Sequence, residues 1–301
     1  MPDIDKEIQR DVKLAPFTTF RIGGPARYFA EPRSLSQYRE FLEWSVTRGL
    51  PFFILGAGAN ILVHDSGYRG LVIHTVHLDR VEVAGTTLTA QCGVRVDGLV
   101  DISLRHSLSG LEFAAGLPGT VGGALFMNAQ AFDGSFAGIV DTVSTFHLEG
   151  RVLKRRHLSR SELEFSYKQS IFQRKTHFIE TAAFTLREGD EDSIRAKIEE
   201  NRRKRQKRGH YSHPNAGSIF KNDYGIGKPA GQIIDETGLK GTAIGDAEVY
   251  TGHANFIINR GRATADQVYQ LIRLVQEEVR KRTGIVLERE IILIGDWKEI
   301  L

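Results

Sequence analysis

The sequence predicts an α+β fold. Three observations carry this: hairpin-like alternation fills most of the chain up to about residue 190, helical stripes are few and far apart, and a charge-rich segment at 189–217 sets that part off from a mixed remainder. A domain boundary is expected near 190–200.

In chain order, PFFILGAGANILV (51–63) reads as a buried strand, a glycine turn and a second short apolar strand, and GLVIHTV (70–76) follows as another strand. VEVAGTTLTAQCGVRV (81–96) alternates about Gly85 and reads as a hairpin. Val96, Leu99, Val100 and Leu104 form a helical stripe over 96–108. A hairpin turns near Glu149–Gly150 in IVDTVSTFHLEGRVLKRRHL (139–158), and THFIETAAFTLRE (176–188) is a further strand. The first half of the charge-rich segment is helical in pattern, with Asp192 or Ser193 expected as its cap. EVYTGHANFIINRGRAT (248–264) is strand-like. The clearest helix lies at 264–284: Thr264 with Gln267 makes a capping box, Val268, Leu271, Ile272, Val275 and Val279 form its apolar stripe, and Gly284 stops it. IVLEREIILIG (285–295) is expected as a strand. No internal repeat or low-complexity tract is present.

Composition narrows the function. A chain of 301 residues with 41% hydrophobic and 26% charged residues suits a soluble globular protein with more than one lobe. Net charge of +3 favours anionic small molecules slightly and says nothing by itself of nucleic acid. One cysteine, Cys92, excludes an internal disulfide framework and any multi-cysteine metal site, and the scattered histidines nominate no metal ligands. The charged opening MPDIDKEIQRDVKL has no apolar run behind it, so no secretory signal is expected. No stretch approaches the ~20 apolar residues of a membrane helix, so neither membrane insertion nor a location outside the cytoplasm is expected.

Glycine is the compositional oddity. LGAGAN (55–60) gives strand, turn and amide, and GLEFAAGLPGTVGGALFMNA (110–129) sets Gly116, Gly119, Gly122 and Gly123 about Pro118 and Thr120. Consecutive unhindered backbone N–H groups can face one acceptor, and a diphosphate is the commonest ligand needing that. A strand rather than a helix follows GAGAN, against a Rossmann fingerprint. GIGKPAG (225–231) imitates a phosphate loop, but Pro229 stands where a magnesium-binding hydroxyl would be needed. The second cluster is too long for a turn and too apolar for a linker; a buried loop against a large planar cofactor accounts for it better.

HPNAGSIFKN (213–222) raises a separate question, because Ser218 could be a nucleophile, a turn residue or a proton donor. A nucleophile needs an adjacent base, and the sequence offers neither a GxSxG elbow nor a nominated His–Asp pair. Turn hydroxyl and proton donor both remain open on the residues alone.

Several segments together resemble one family. TTFRIGGPARY, LGAGANILVHDSGYRGLVI, GLEFAAGLPGTVGGALFMNA, FSYKQSIF, NAGSIFKN, GLKG, HANFIIN and LERE follow the order and spacing of the UDP-N-acetylenolpyruvoylglucosamine reductases, from about Thr18 to Gly295. The compact C-terminal part looks like the shorter of that family's two branches. The resemblance implies a two-part FAD-binding region of the vanillyl-alcohol-oxidase type, 1–80 and 81–193, then an α+β substrate-binding domain, 194–301. It implies an FAD-containing oxidoreductase that takes NADPH and UDP-N-acetylenolpyruvoylglucosamine in turn at one site and forms UDP-N-acetylmuramate. A cytoplasmic monomer is expected.

Residue by residue, the resemblance places Gly56, Gly58 and Asn60 around the flavin diphosphate, and Gly116, Gly119, Thr120, Gly122, Gly123 and Asn128 on the other side of the FAD. It makes Ser218 the proton donor, suited to a carbanion or enolate because a serine hydroxyl is a weak acid. Glu290, in LERE, matches the active-site glutamate and is expected with a raised pKa; strand alternation alone would put Glu288 on the same face. Lys168 stands where the family usually has arginine, giving a point charge in place of a two-pronged grip, with Arg174 as a nearby alternative cation. Tyr167, Lys221 and Asn222 are expected at the substrate, and His253 and Asn255 in the pocket scaffold. Gln130 and Asp223 depart from the family's usual glycine and proline.

Two rival functions are expected to fail. NRRKRQKR (201–208) invites nucleic-acid binding, but short basic runs are mostly solvated helix faces and no stacking aromatics interleave here. An oxygen-using flavoenzyme on the same scaffold would also be yellow, and only NADPH consumption in step with the enolpyruvyl nucleotide separates it.

Overall fold

The computed structural model describes residues 4–297, and the chain divides into two compact units. The first comprises the residues up to Gln9, Tyr28–Ala57 and Gly70–Lys204; the second comprises Arg10–Arg27, Gly58–Arg69 and the chain from Arg205 onward. The second unit is therefore built from three separated stretches, which no local pattern announces.

Within the first unit a five-stranded antiparallel sheet runs in the order Val152–Ser159, Val140–Glu149, His177–Thr185, Thr87–Gln91, Val81–Ala84. Both predicted hairpins are present. Ala84 pairs with Thr87 and Glu149 with Val152, so each loop has two residues, the length matching the twist of the flanking strands. A parallel pair, Phe52–Leu55 against Leu71–His74, lies in the same unit. Helix α1 (Leu35–Thr47) starts at Ser34, whose hydroxyl accepts from the Gln37 amide at 3.2 Å, and buries Tyr38, Phe41 and Leu42. Helix α2 (Val96–Arg105) buries the predicted stripe of Val96, Leu99, Val100 and Leu104. These side chains join one apolar cluster with Phe136, Phe146 and Phe184 of the sheet side.

The glycine-rich stretch is not all loop. A 3-10 turn spans Glu112–Ala114, and helix α3 occupies Val121–Phe126, capped by the Thr120 hydroxyl on the Gly123 amide at 3.4 Å. Six residues are too few for periodicity to announce a helix.

Helix α4 (Glu191–Lys207) corrects two expectations. Its cap is Asp190, whose carboxylate accepts from the Ser193 amide and hydroxyl at 2.9 and 2.8 Å, not Asp192 or Ser193. It also continues through the basic run, because Ile194, Ile198, Asn201 and Arg205 are all buried and keep the helical spacing with polar residues in its last turns. Of that run, Arg202 pairs with Asp97 and Asp101, and Lys204 with Glu200.

In the second unit, a four-stranded antiparallel sheet has the order Asn215–Ser218, Phe256–Asn259, Ala247–Val249, Ala243–Ile244. Helix α5 (Ala230–Glu236) and helix α6 (Ala265–Thr283) share its apolar cluster, α6 through the predicted Val268, Leu271, Ile272, Val275 and Val279. The Thr264–Gln267 capping box and the left-handed Gly284 at the other end are as expected. The final strand is shorter than expected: only Ile292–Ile294 is regular, parallel to Ile61–Val63, and Arg289 makes one isolated bridge to Phe220. Among the described residues no helix is long and apolar enough to cross a membrane, and no group of three or more His, Cys, Asp or Glu side chains is placed to hold a metal ion.

Candidate active site

Ser218 ends the first strand of the second unit's sheet, and its local geometry follows from Asn215 and Gly217. The Asn215 carboxamide accepts from the Gly217 amide at 2.8 Å and donates to the His210 and His213 carbonyls at 3.1 and 2.7 Å. Gly217 sits at φ 73, a left-handed conformation that strains other residues. The register against the Phe256–Asn259 strand shifts between Asn215 and Ser218, an irregularity of the kind that re-aims a side chain. Ser218 is half-buried, and its hydroxyl has no hydrogen-bond partner among the described residues. Sequence reasoning passed over Asn215, although Asn two residues before Gly is a known turn signal.

The next three residues are held from both sides. The Ile219 amide donates to the Asn255 carbonyl at 2.9 Å, and the Asn255 side chain bonds both backbone groups of Phe220, at 2.9 and 2.8 Å. On the other side the Lys221 amide donates to the Glu288 carbonyl at 2.8 Å, and the Glu290 amide to the Ile219 carbonyl at 2.7 Å. Asn255, expected in the pocket scaffold, is 3% exposed. His253 stacks on Phe256 with ring centroids 4.2 Å apart; burial, then Arg208, lowers its pKa.

The two glutamates of LERE separate clearly. Glu288 has a side chain 73% exposed and forms an ion pair with Lys221, whereas Glu290 is half-buried. Asn60 donates through its side chain to the Glu290 carbonyl at 3.3 Å, and its own carbonyl accepts from the Ile292 amide at 3.0 Å. Asn60, expected around the flavin diphosphate, fastens the chain on either side of Ile291. Gly58 is bare because a Cβ there would overlap the Phe17 carbonyl. Asn222, expected at the substrate, accepts from the Ala230 amide at 2.9 Å and so caps α5. Asp223, one of the family departures, accepts from the Gly225 amide at 2.9 Å and starts a 3-10 turn.

The remaining expected residues belong to the first unit. A Cβ on Gly56 would overlap the Thr120 hydroxyl, so the 55–57 turn lies directly against the start of α3. At Gly119 and Gly123 the nearest atoms to such a Cβ are at ordinary contact distance, 3.8 and 3.6 Å. Two bare loops meeting at one threonine is a cradle a diphosphate can enter, and these residues fit FAD. Gly122 has an internal reason instead: its Cβ would stand 3.1 Å from Cys92, where α3 packs closely. The Gly116 amide donates to Asp97 at 2.7 Å, and Asp97 also accepts from Arg202 at 2.8 Å, a support that nothing in the sequence disclosed. Burial pushes the Cys92 thiol up to about 12, which leaves it inert.

The side chain of Asn128, expected to face the cofactor, bonds the protein's own backbone. It is 3% exposed; its amide nitrogen donates to the Ser166 carbonyl at 2.9 Å, and its oxygen accepts from the Ala137 amide at 3.1 Å. Tyr167 and Lys168 form the tip of a tight turn closed by Ser166 and Gln169, whose amides and carbonyls exchange bonds of 3.3 and 3.2 Å. The Lys168 ammonium lies 5.9 Å from the Tyr167 ring centroid. Arg174, the alternative cation, forms an ion pair with Glu164.

The comparisons agree with this layout. Residues 26–154 match the family described as FAD binding domain, and residues 209–294 the family described as UDP-N-acetylenolpyruvoylglucosamine reductase, C-terminal domain. A UDP-N-acetylenolpyruvoylglucosamine reductase of Clostridium novyi is 35% identical, covering 98% of this chain and 95% of its own. One from Borrelia garinii subsp. bavariensis is 38% identical, covering 94% of this chain and 92% of its own. The crystal structure of the enzyme of that name from Thermus caldophilus superposes with a TM-score of 0.81 at 32% identity, over 96% of this chain and 99% of that one.

Proposed function

Because the chain belongs to the UDP-N-acetylenolpyruvoylglucosamine reductase family over nearly its whole length, we propose a division of labour among its residues for that family's reaction. The protein is an FAD-containing oxidoreductase that uses NADPH to reduce UDP-N-acetylenolpyruvoylglucosamine to UDP-N-acetylmuramate, in peptidoglycan precursor synthesis. Its architecture is α+β, an FAD-binding region of the vanillyl-alcohol-oxidase type followed by the C-terminal domain.

The chemistry that FAD supplies when bound is hydride relay, from NADPH to the methylene carbon of the enolpyruvyl ether. Gly56, Gly119 and Gly123 line its diphosphate in our reading, Thr120 capping α3 between them, with Gly58, Gly116 and Gly122 shaping the loops. What is left for side chains is charge and one proton. Negative charge arrives on the substrate carbon beside the carboxylate, and Lys168 neutralises that carboxylate. Ser218 gives its proton to the carbon; so weak an acid serves only because the receiving carbon is so strong a base. Glu290 lies beside the developing enolate and Tyr167 along the substrate. Lys221, with Asn222, takes the UDP diphosphate or the enolpyruvate end. We assign 1–80 and 81–193 to the two FAD-binding subdomains and 194–301 to the substrate domain, and the working species to a cytoplasmic monomer.

The observation that carries the proton assignment is the Ser218 hydroxyl itself, half-buried, without a protein partner among the described residues, and next to the residue that binds the Glu290 backbone. The test is a visible spectrum followed by a coupled assay. Purified protein should be yellow and should oxidise NADPH in step with consumption of the enolpyruvyl nucleotide. Yellow protein that reduces only oxygen would make it a different flavoenzyme, and colourless, folded protein that takes up no FAD would end the reading.

A further inference from the structure

We propose that Asn128 and Gln173 are positioning residues that hold the Tyr167–Lys168 turn so that the Lys168 ammonium meets the substrate carboxylate. The proposal rests on the role given to Lys168 above.

The turn does not hold itself. Lys168 sits at φ 58, in the left-handed region, a conformation that a lysine keeps only where its surroundings over-determine it. Two side chains grip the backbone at either side of the tip. Asn128 donates to the Ser166 carbonyl at 2.9 Å, and Gln173 donates to the Lys168 carbonyl at 2.9 Å.

Both grips are anchored to α3. Gln173 gives a second hydrogen to the carbonyl of Phe126, the last residue of α3, at 3.0 Å, and Ser170 donates to the same carbonyl at 2.8 Å. Asn128 stands two residues past that helix at φ 41, a left-handed position that asparagine tolerates better than most residues. Its orientation is fixed by its neighbours: the Ala137 amide can only donate and the Ser166 carbonyl can only accept, so nitrogen and oxygen cannot exchange places. The carbonyl end of α3 thus fixes the backbone of a residue some forty positions further along.

The chemistry explains why such a clamp is needed. A lysine is a point charge on a flexible stem, without the planar fork that lets arginine align itself on a carboxylate. The position of its charge therefore depends on where the backbone starts, and a misplacement of about 1 Å can cost about 100-fold in rate.

The experiment is a pair of double-mutant cycles. Asn128→Asp removes the donor to Ser166 and keeps an acceptor for Ala137; Gln173→Met removes both donors and keeps the length. Each single variant should lower kcat/KM for the enolpyruvyl nucleotide by about 10- to 100-fold, while FAD affinity and the rate of flavin reduction by NADPH stay within about twofold. In a Lys168→Ala background the same substitutions should each cost less than about twofold. Equal losses with and without Lys168, or a loss expressed as weaker FAD binding, would overturn the clamp and leave the role of Lys168 standing. Wild-type kcat/KM in Lys168→Ala would overturn that role, and the clamp with it. Should Asn128→Asp fail to fold, the Gln173 cycle decides the question, since Gln173 is half-buried and its replacement keeps the volume.

Discussion

The backbone amide of Glu290 donates to the carbonyl of Ile219 at 2.7 Å, which fixes the glutamate's main chain one residue from Ser218. With the Lys221 amide on the Glu288 carbonyl at 2.8 Å, this tethers the LERE segment to the serine segment although some 70 residues separate them. Ser218 and Glu290 belong to one local assembly of the second unit.

Ser218→Ala should separate the two half-reactions. NADPH oxidation and flavin reduction should run at the normal rate, while reoxidation by the enolpyruvyl nucleotide in a single turnover should slow by about 100-fold or more, the range for loss of a positioned acid. Unchanged reoxidation would leave Ser218 a turn hydroxyl.

Glu290 and Glu288 should respond differently to the same chemical change. Glu290→Gln should depress the second half-reaction by about 100-fold. Glu288→Gln loses an ion pair in which the glutamate is largely exposed and should alter stability by less than about 1 kcal/mol. Equal kinetic damage in a steady-state comparison would refute the assignment.

Lys168→Arg should preserve or raise kcat/KM for the nucleotide substrate. The clamp on the backbone does not depend on the side chain, and arginine adds a second prong for the carboxylate. An inactive but folded, yellow arginine variant would contradict the charge-neutralising role.

Gly56→Ala should disturb the cofactor cradle. The added methyl overlaps the Thr120 hydroxyl, and Thr120 is 1% exposed and committed to capping α3, so it cannot swing away. Overpacking of this kind costs about 1–3 kcal/mol. Thermal melting and FAD retention on gel filtration should both fall, and Thr120→Ala in the same chain should recover part of the loss. A Gly56→Ala protein with native melting and full flavin content would show that the two loops are not tightly opposed.

Stability should fall on the acid side, in part through His210 and His253. Burial, then Arg205, brings His210 down to about 4 from its ordinary 6.5, and burial also lowers His253. Below about 6.5 the unfolded chain takes up protons that the folded chain refuses, so stability declines as pH drops from 6.5 toward 4. Urea midpoints measured across that window should drop, and His210→Gln should flatten the slope. An unchanged slope in the variant would remove His210 from the account.

Much of the fold was legible because its signals are local. Two-residue hairpin loops carry glycine at the bend, α2 and α6 keep a helical stripe over several turns, and Thr264 with Gln267 marks a start by side-chain chemistry alone. The order of the glycine, FSYKQSIF, NAGSIFKN and LERE segments likewise sufficed to name the family and its cofactor. The end of α4 was hidden because Asn201 and Arg205 occupy buried positions that a hydrophobic pattern leaves blank.

The choice of partners belonged to the tertiary structure. Glu288 and Glu290 are equivalent by strand alternation, and in the structure Glu288 is exposed and paired with Lys221 while Glu290 is half-buried. Asn128 matches a family position by sequence, and the structure shows that its amide bridges Ser166 and Ala137. The sequence by itself determined which residue types are present, which short elements they form and which family they resemble. Only folding decided how each polar group is satisfied, because a buried donor or acceptor must find a partner, and that partner can lie 230 residues away.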